Sequence, residues 1–350
     1  MAKAKKLTKG QLRRIKENQA NKLKLLKNKG KNDKVLWQDE QLGNAQSGVV
    51  ISRFGQHADI EGDDNKIYRC NIRRSIDSLV CGDKVIWRLG KEEQLKINGI
   101  VEAVEERTSM LSRPDVYDGV KPIAANISQI LIVSSVLPAF NADIIDRYLV
   151  AAEQTGITPV IVLNKTDLLD VHNTAEIEQH LSIYRDIGYQ IIYASSETSE
   201  GIEAIKKQLN QHTSIFVGQS GVGKSTLTNS LMPELNLLTK IVSENSGLGQ
   251  HTTTVARLYH FNEGGNLIDS PGIREFGLWH LTPEQVCNGF IEFQDYLGYC
   301  KFRDCKHQTD PGCALIAAEK EEKIHSERLA SFQRILSSLG DNTLTSRFND

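Results

Sequence analysis

The sequence predicts a multidomain chain: an N-terminal all-β barrel of the OB type, a central α/β phosphate-loop domain and a C-terminal, mainly helical, zinc-binding domain. Three observations carry this. Short β-branched runs punctuated by glycine fill Val35 to about Glu106. From Ile130 to Val217, strand-sized apolar runs alternate with helical ones, the texture of a doubly wound sheet. Near the end, Cys300, Cys305, His307 and Cys313 crowd into one short segment.

The barrel strands are expected at 48–51, 67–72, 83–87 and 97–104. Arg53, Phe54, Arg69, Arg73 and Arg74 mix cations with aromatic surface, which fits a nucleic-acid-binding barrel, although arginines on a barrel are as often a solvated face. Ahead of it, residues 1–34 hold 13 Lys/Arg against Glu17 and Asp33, a net of +11. The whole chain carries -2, so the remaining residues carry -13. Such lysine density suits phosphate neutralisation with counterion release; a solubilising tail is the alternative. No apolar run approaches the ~20 residues of a membrane span, and no cleavage site follows the lysines. A cytoplasmic protein with reduced thiols is therefore expected, so the 6 cysteines are not a disulfide framework.

In the central domain, Ile130–Val133, Pro159–Leu163, Ile191–Tyr193 and Ser214–Val217 read as strands, and Ala142–Gln154 and Ala175–Ile187 as helices, the first ending at Gly156. Directly after the last strand comes Gly218-Gln219-Ser220-Gly221-Val222-Gly223-Lys224-Ser225, a phosphate-loop pattern opening a helix from Ser225, with Thr226 following. Its glycines let successive N–H groups converge on phosphates. Lys224 reaches the β and γ oxygens, and the Ser225 hydroxyl ligates magnesium. Asn164-Lys165-Thr166-Asp167 stands at a strand end, where Asp167 can accept from guanine N1–H and the exocyclic amine, groups adenine does not offer, while Asn164 and Lys165 brace the loop. Ala194-Ser195-Ser196 fits a second base-contacting loop, or a polar strand-end turn. Asp269-Ser270-Pro271-Gly272 places Asp269 to hold the magnesium shell and Gly272 to donate to a γ-phosphate. In the loop 249–254 a threonine, with Thr252 and Thr253 the candidates, should ligate the ion. Ile273, directly after the Asp-x-x-Gly pattern, has no hydrogen-bonding side chain, so His251 is the candidate to orient the attacking water, or else a packing histidine; Lys224 is the other catalytic candidate.

The C-terminal domain opens with Thr282-Pro283-Glu284-Gln285, a capping box with proline at the first helical position, predicting a helix through about Leu297. The spacing C-x₄-C-x-H-x₅-C can close a tetrahedral structural zinc site with no open position. Cys70, Cys81 and Cys287 lack partners at ligand spacing and read as core thiols, and Leu329, Phe332, Leu336 and Leu339 mark a packing stripe on a terminal helix.

The order of motifs is unusual, because the Asn-Lys-x-Asp and Ala-Ser-Ser loops precede the phosphate loop. The chain resembles a circularly permuted GTPase, and its basic arm, OB-like barrel, permuted domain and Cys/His tail together resemble the RsgA (YjeQ) family of small-ribosomal-subunit biogenesis GTPases. That resemblance implies hydrolysis of GTP to GDP and phosphate stimulated by the 30S subunit, 16S rRNA binding near the decoding region late in maturation, and a bacterial cytoplasmic location; a monomer is expected. The predicted domains are 1–34, the basic arm; 35–110, the OB fold; 111–277, the permuted GTPase; and 278–350, the zinc-binding domain. On the residues alone, a P-loop ATPase in which Asp167 is incidental and a scaffold holding GTP as a structural ligand stay open. Relative affinity for GTP and ATP separates the first, and turnover the second.

Overall fold

The computed structural model describes residues 42–94, 97–115, 119–233, 256–269 and 281–345. The basic arm, His251, Thr252, Thr253 and Gly272 lie outside them. The described residues fall in two compact units, the first within 1–110, 122–126 and 255–259, the second within 111–121, 127–254 and 260–350.

The first unit is a closed barrel of β1 (Leu42–Phe54), β2 (His57–Gly62), β3 (Ile67–Ile72), β4 (Lys84–Gln94) and β5 (Ile97–Val104). The ladder runs β1-β2-β3-β5-β4 and returns to β1, with only the β3–β5 pair parallel. Closure leaves no free edge. Alternate residues point inward: Val50, Ala58, Ile60, Cys70, Val85, Trp87 and Val101 form the core, and the Trp87 indole donates to Ser47 O at 3.1 Å. Burial pushes the Cys70 thiol up to about 12, which makes it an inert core group. The sequence reading missed β2, a strand in which His57, Asp59 and Glu61 alternate with apolar residues.

The strands β6 (Met110–Asp115) and β7 (Gly119–Ala125) form a separate two-stranded sheet. The second unit is built on a parallel sheet in the order β10-β9-β8-β11-β13, with β8 (Gln129–Ser135), β9 (Thr158–Asn164), β10 (Gln190–Tyr193), β11 (Thr213–Val217) and β13 (Asn266–Asp269). β12 (Arg257–His260) pairs with β1 in the first unit. Helices α1 (Ala142–Thr155), α2 (Thr174–Ile187) and α3 (Ile202–Leu209) cross between successive strands, and α4 (Lys224–Leu231) follows β11. Every residue of β8 is buried, as a strand covered on both faces requires. Asn141 caps α1 by accepting from Ile144 N, and Gly156 ends it at φ 67°.

At the C-terminal end the Thr282 capping box forms as expected, but α5 (Pro283–Asn288) is short. The helix anticipated through Leu297 breaks at Gly289, and Ile291–Tyr296 continue as a 3₁₀ stretch that buries Phe293 against Phe290 and Phe332. Tertiary packing of these rings overrides the helical pattern. Helices α6 (Ala314–Lys320) and α7 (Ser326–Thr345) are the last of the described elements. Leu329 and Phe332 are buried as the stripe predicts, while Ile335, not Leu336, is its third buried member.

Candidate functional site

The phosphate loop leaves β11 at Gly218, whose φ of 139° and whose Cβ position, 2.1 Å from Val133 O, exclude any side chain. Gly223 is equally constrained, because a Cβ there would lie 2.4 Å from the Asn164 amide nitrogen. Gln219, Ser220, Gly221 and buried Val222 complete the turn, and α4 begins at Lys224 with Ser225 and Thr226 exposed in its first turn. A glycine-rich turn that runs straight into a helix N-terminus is a backbone arrangement suited to anions. The Lys224 ammonium is folded onto the loop, 2.7 Å from Gly218 O and 2.6 Å from Gln219 O.

The base loops are joined to this turn. Asn164 Nδ2 donates to Val222 O at 2.9 Å. Lys165, in the left-handed region at φ 61°, sends its ammonium to Gly221 O at 2.8 Å and Leu137 O at 2.6 Å. The second strand end is tied in by Thr166 N donating to Ala194 O and by the buried Ser195 hydroxyl donating to Asp167 Oδ1. Glu197 N and Thr198 N both donate to Ser195 Oγ at 3.2 Å, so Ser195 is fixed from both sides. Asp167 itself is exposed. Three buried side-chain oxygens of these loops, Asn164 Oδ1, Thr166 Oγ1 and Ser196 Oγ, have no hydrogen-bond partner. Unpaired buried oxygens concentrated in two adjacent loops fit a ligand that arrives with its own donors. Asp269 stands at the carboxyl end of β13, whose Ile268 is in register with Ile215 of β11, so it lies on the phosphate side of the sheet.

Sequence reasoning found these side chains but not the backbone groups that receive them. Leu137 O and Val222 O carry no residue-type signal.

The metal ligands converge. Cys300 Sγ, Cys305 Sγ and Cys313 Sγ lie 3.5, 3.6 and 3.4 Å from His307 Nδ1, and all four ligand atoms fall within 4.8 Å of one another. A tetrahedral ion with bonds of about 2.3 Å to sulfur and about 2.0 Å to nitrogen has S···N edges of about 3.5 Å, so the donor set fits such an ion. Ala314 N donates to Cys300 Sγ at 3.3 Å, and burial lowers the His307 pKa, favouring the neutral imidazole that ligates. The Cys3His cluster can therefore hold a metal ion.

On the barrel, a groove of about 770 Å³ is lined by Arg53, Gln56, Asn71, Arg73, Arg74 and Ser75 among others. Several of its arginines also have structural work. Arg73 pairs with Glu102 at 2.5 Å, Arg53 donates to Leu79 O, and Arg69, outside the groove, pairs with Asp59 at 2.8 Å beneath the Phe54 ring.

Along the chain the base loops precede the phosphate loop, yet in the sheet β11 sits between β8 and β13 with the base loops beside it. Fold and site together define a circularly permuted phosphate-loop GTPase. The RsgA GTPase family description matches residues 104–279. Relatives called small ribosomal subunit biogenesis GTPase RsgA, from Proteus mirabilis (strain HI4320) and Photorhabdus laumondii, are each 57% identical, over 348 and 349 residues, covering 98% and 99% of this chain and 98% of each relative. The crystal structure of YjeQ from Thermotoga maritima aligns at a TM-score of 0.69 and 29% identity, over 84% of this chain and 98% of that one. YloQ, described as a circularly permuted GTPase, aligns at 0.67 and 25%, over 88% and 99%. The chain belongs to the RsgA GTPase family and is a GTP-hydrolysing enzyme. That removes the ATPase and scaffold alternatives. No described helix is long and apolar enough to cross a membrane.

Proposed function

We propose that this chain hydrolyses GTP to GDP and phosphate under stimulation by the 30S subunit and acts, through 16S rRNA, in late maturation of the small ribosomal subunit, as a monomer in the cytoplasm. The observation that carries the reading is the joining of base and phosphate loops through Asn164 and Lys165, in a chain whose relatives bear small-subunit biogenesis names. Asp167, held by Ser195, accepts from the guanine N1–H and 2-amino group, with Ala194 and Ser196 alongside. Loop N–H groups from Gly218 to Thr226 take the phosphates. Lys224 exchanges its two loop carbonyls for β and γ oxygens, where its charge offsets what develops in the transition state. Magnesium bound with the nucleotide supplies charge neutralisation on the phosphates; Ser225 and Asp269 would hold it, with Thr252 or Thr253 from the loop 249–254. Gly272 donates to the γ-phosphate. The Cys3His cluster takes one zinc ion in a structural role, since four protein ligands leave no open position.

Water orientation is assigned to His251 on sequence grounds, Ile273 being unable to do it. The arm and the barrel groove, with Arg74 at its rim, divide the rRNA contact. The test is phosphate release by the purified protein with and without 30S subunits, and with ATP replacing GTP. Stimulation confined to GTP is expected, and equal turnover with and without subunits refutes the ribosomal reading. His251→Ala should lower stimulated turnover by about a hundredfold with GTP affinity kept; a change within about twofold removes His251 and points to a group supplied in trans.

A further inference from the structure

Cys305 and His307 are separated by a single residue, so two ligand atoms must reach one point from the same short stretch of main chain. The structure meets this with an uncommon backbone. His307 has a φ of 57°, in the left-handed region where a Cβ crowds the carbonyl oxygen, and a residue other than glycine stays there only where its surroundings hold it. Of the two ring nitrogens it is Nδ1 that faces the sulfurs of Cys300, Cys305 and Cys313, at 3.5, 3.6 and 3.4 Å. Nδ1 is the nitrogen nearer the main chain, so the backbone at His307 decides directly where the ligand atom lies.

Two side chains that do not belong to the ligand set fix that backbone. Asp310 Oδ2 accepts from Lys306 N at 3.2 Å and from Gln308 N at 3.4 Å, so one carboxylate oxygen straddles His307. Its own main chain is tied to the last ligand, because Cys313 N donates to Asp310 O at 3.2 Å. From α7, Gln333 Nε2 donates to His307 O and to Gln308 O, each at 3.3 Å. The next residue toward the start of α7, Phe332, places its ring centroid 6.5 Å from that of His307. The N–H groups on either side of His307 and the carbonyls that follow are thus held from opposite directions, by an acceptor within the loop and a donor from the helix.

We propose that Asp310 and Gln333 are positioning residues of the metal centre: they hold the main chain of His307 in the left-handed conformation that aims Nδ1 at the three thiolates, so retention of the ion depends on two side chains that do not ligate it. Because Gln333 comes from α7, the hold on the ion also depends on how that helix is docked. The inference rests on the reading of the Cys3His cluster as a zinc site.

The test uses the full chain, its metal content by elemental analysis, nitrogen-15 spectra of a histidine-labelled sample, and the rate of zinc release to excess pyridylazoresorcinol. In the unchanged protein the ring proton of His307 should sit on Nε2; a proton on Nδ1 would mean ligation through the other nitrogen and overturns the proposal. Asp310→Ala should release zinc about ten- to a hundredfold faster. Asp310→Asn, whose amide oxygen can accept from the same two N–H groups, should stay within about threefold of the unchanged chain. Gln333→Ala should release zinc about tenfold faster, and Gln333→Glu, which turns an oxygen instead of a donor toward two carbonyls, at least as fast. With cobalt in place of zinc, Asp310→Ala should keep its thiolate charge-transfer absorption while the tetrahedral ligand-field bands weaken, the mark of a displaced imidazole that a general loss of stability does not leave. An Asp310→Ala variant that releases zinc at the unchanged rate, even with a lowered melting temperature, or an Asp310→Asn variant as leaky as Asp310→Ala, overturns the positioning role. A chain that holds no metal when purified with zinc present would overturn the zinc reading, and this inference with it.

Discussion

Arg328→Met tests what holds the C-terminal helices on the α/β core. The guanidinium is nearly fully buried, its side chain 2% exposed, against an Asp146 side chain of 2% and a Glu292 side chain of 12%. It donates to both Glu292 oxygens at 2.6 and 3.2 Å and lies 4.4 Å from the Phe290 ring centroid. Methionine fills comparable volume, so the loss is electrostatic: Glu292 can turn to water, but Asp146 is left charged and buried. Removing one partner of such a pair costs about 3–5 kcal/mol. For a unit of this size that is a fall in Tm of about 6–20 °C. Burial already pushes the Asp146 carboxyl above its ordinary range, with the Arg328 charge and the Tyr184 hydroxyl holding it back. Without Arg328 its folded pKa rises further above the unfolded value. A carboxyl so raised stabilises most below its unfolded pKa and loses that contribution as pH climbs through the folded one, so the variant's deficit should shrink as pH is lowered from 8 to 5. Adding Asp146→Leu removes the stranded charge, and Tyr184 retains Ala142 O as an acceptor at 3.3 Å, so the double variant should recover all but about 1–2 kcal/mol. Calorimetry at both pH values decides. A deficit under about 1 kcal/mol, an equal deficit at pH 5 and 8, or a double variant no better than the single would refute the reasoning.

Other outcomes follow from the same geometry. Asp167→Asn should weaken GTP by about 10²–10⁴-fold in competition with a fluorescent GDP analogue, since charge-assisted bonds to two guanine donors are lost; a fall under tenfold removes Asp167 from base recognition. Cys305→Ala should abolish bound metal, measured by elemental analysis, and loosen residues 300–313. Because Arg328 and Arg334 hold α7 independently of the cluster, affinity for the GDP analogue should fall less than tenfold, and a hundredfold loss would mean that the metal supports the nucleotide loops. Deleting residues 1–34, with their net charge of +11, should flatten the salt dependence of 30S binding by several units in log–log slope, whereas an unchanged slope would deny the arm its phosphate contacts.

The parts of this molecule that were legible in the sequence are those whose chemistry is complete within one short segment. Gly218 is forced by the approach of the Val133 carbonyl and Gly223 by that of the Asn164 side-chain amide, at positions the phosphate-loop spacing already encodes, and Thr282 with Gln285 closes a capping box from four consecutive residues. Cys300 to Cys313 close on one another for the same reason. What failed depended on partners far along the chain. The 3₁₀ stretch Ile291–Tyr296 answers to Phe332, and nothing near Gly289 announces that Val150 will press against it. Arg53, Arg69 and Arg73 read as nucleic-acid contacts by residue type, or as a solvated face, and Asp59, Glu102 and the Leu79 carbonyl pair with them on the barrel surface.

Arg328 is the extreme case. An arginine in a polar-looking helix start reads as solvated surface, because a charge in the core costs several kcal/mol unless compensated. Its compensation comes from Asp146, 182 positions away, and Glu292, 36 away, so no window of sequence contains the argument for its burial. The same separation gives the pair its use. A contact between residues adjacent in sequence can stabilise one helix; a buried pair between α1 and α7 fixes the position of one element against another. Since α1 starts shortly after Leu137, whose carbonyl accepts from Lys165 at 2.6 Å while Lys165 also reaches Gly221 O at 2.8 Å, the helix that carries the C-terminal helices begins beside the base and phosphate loops.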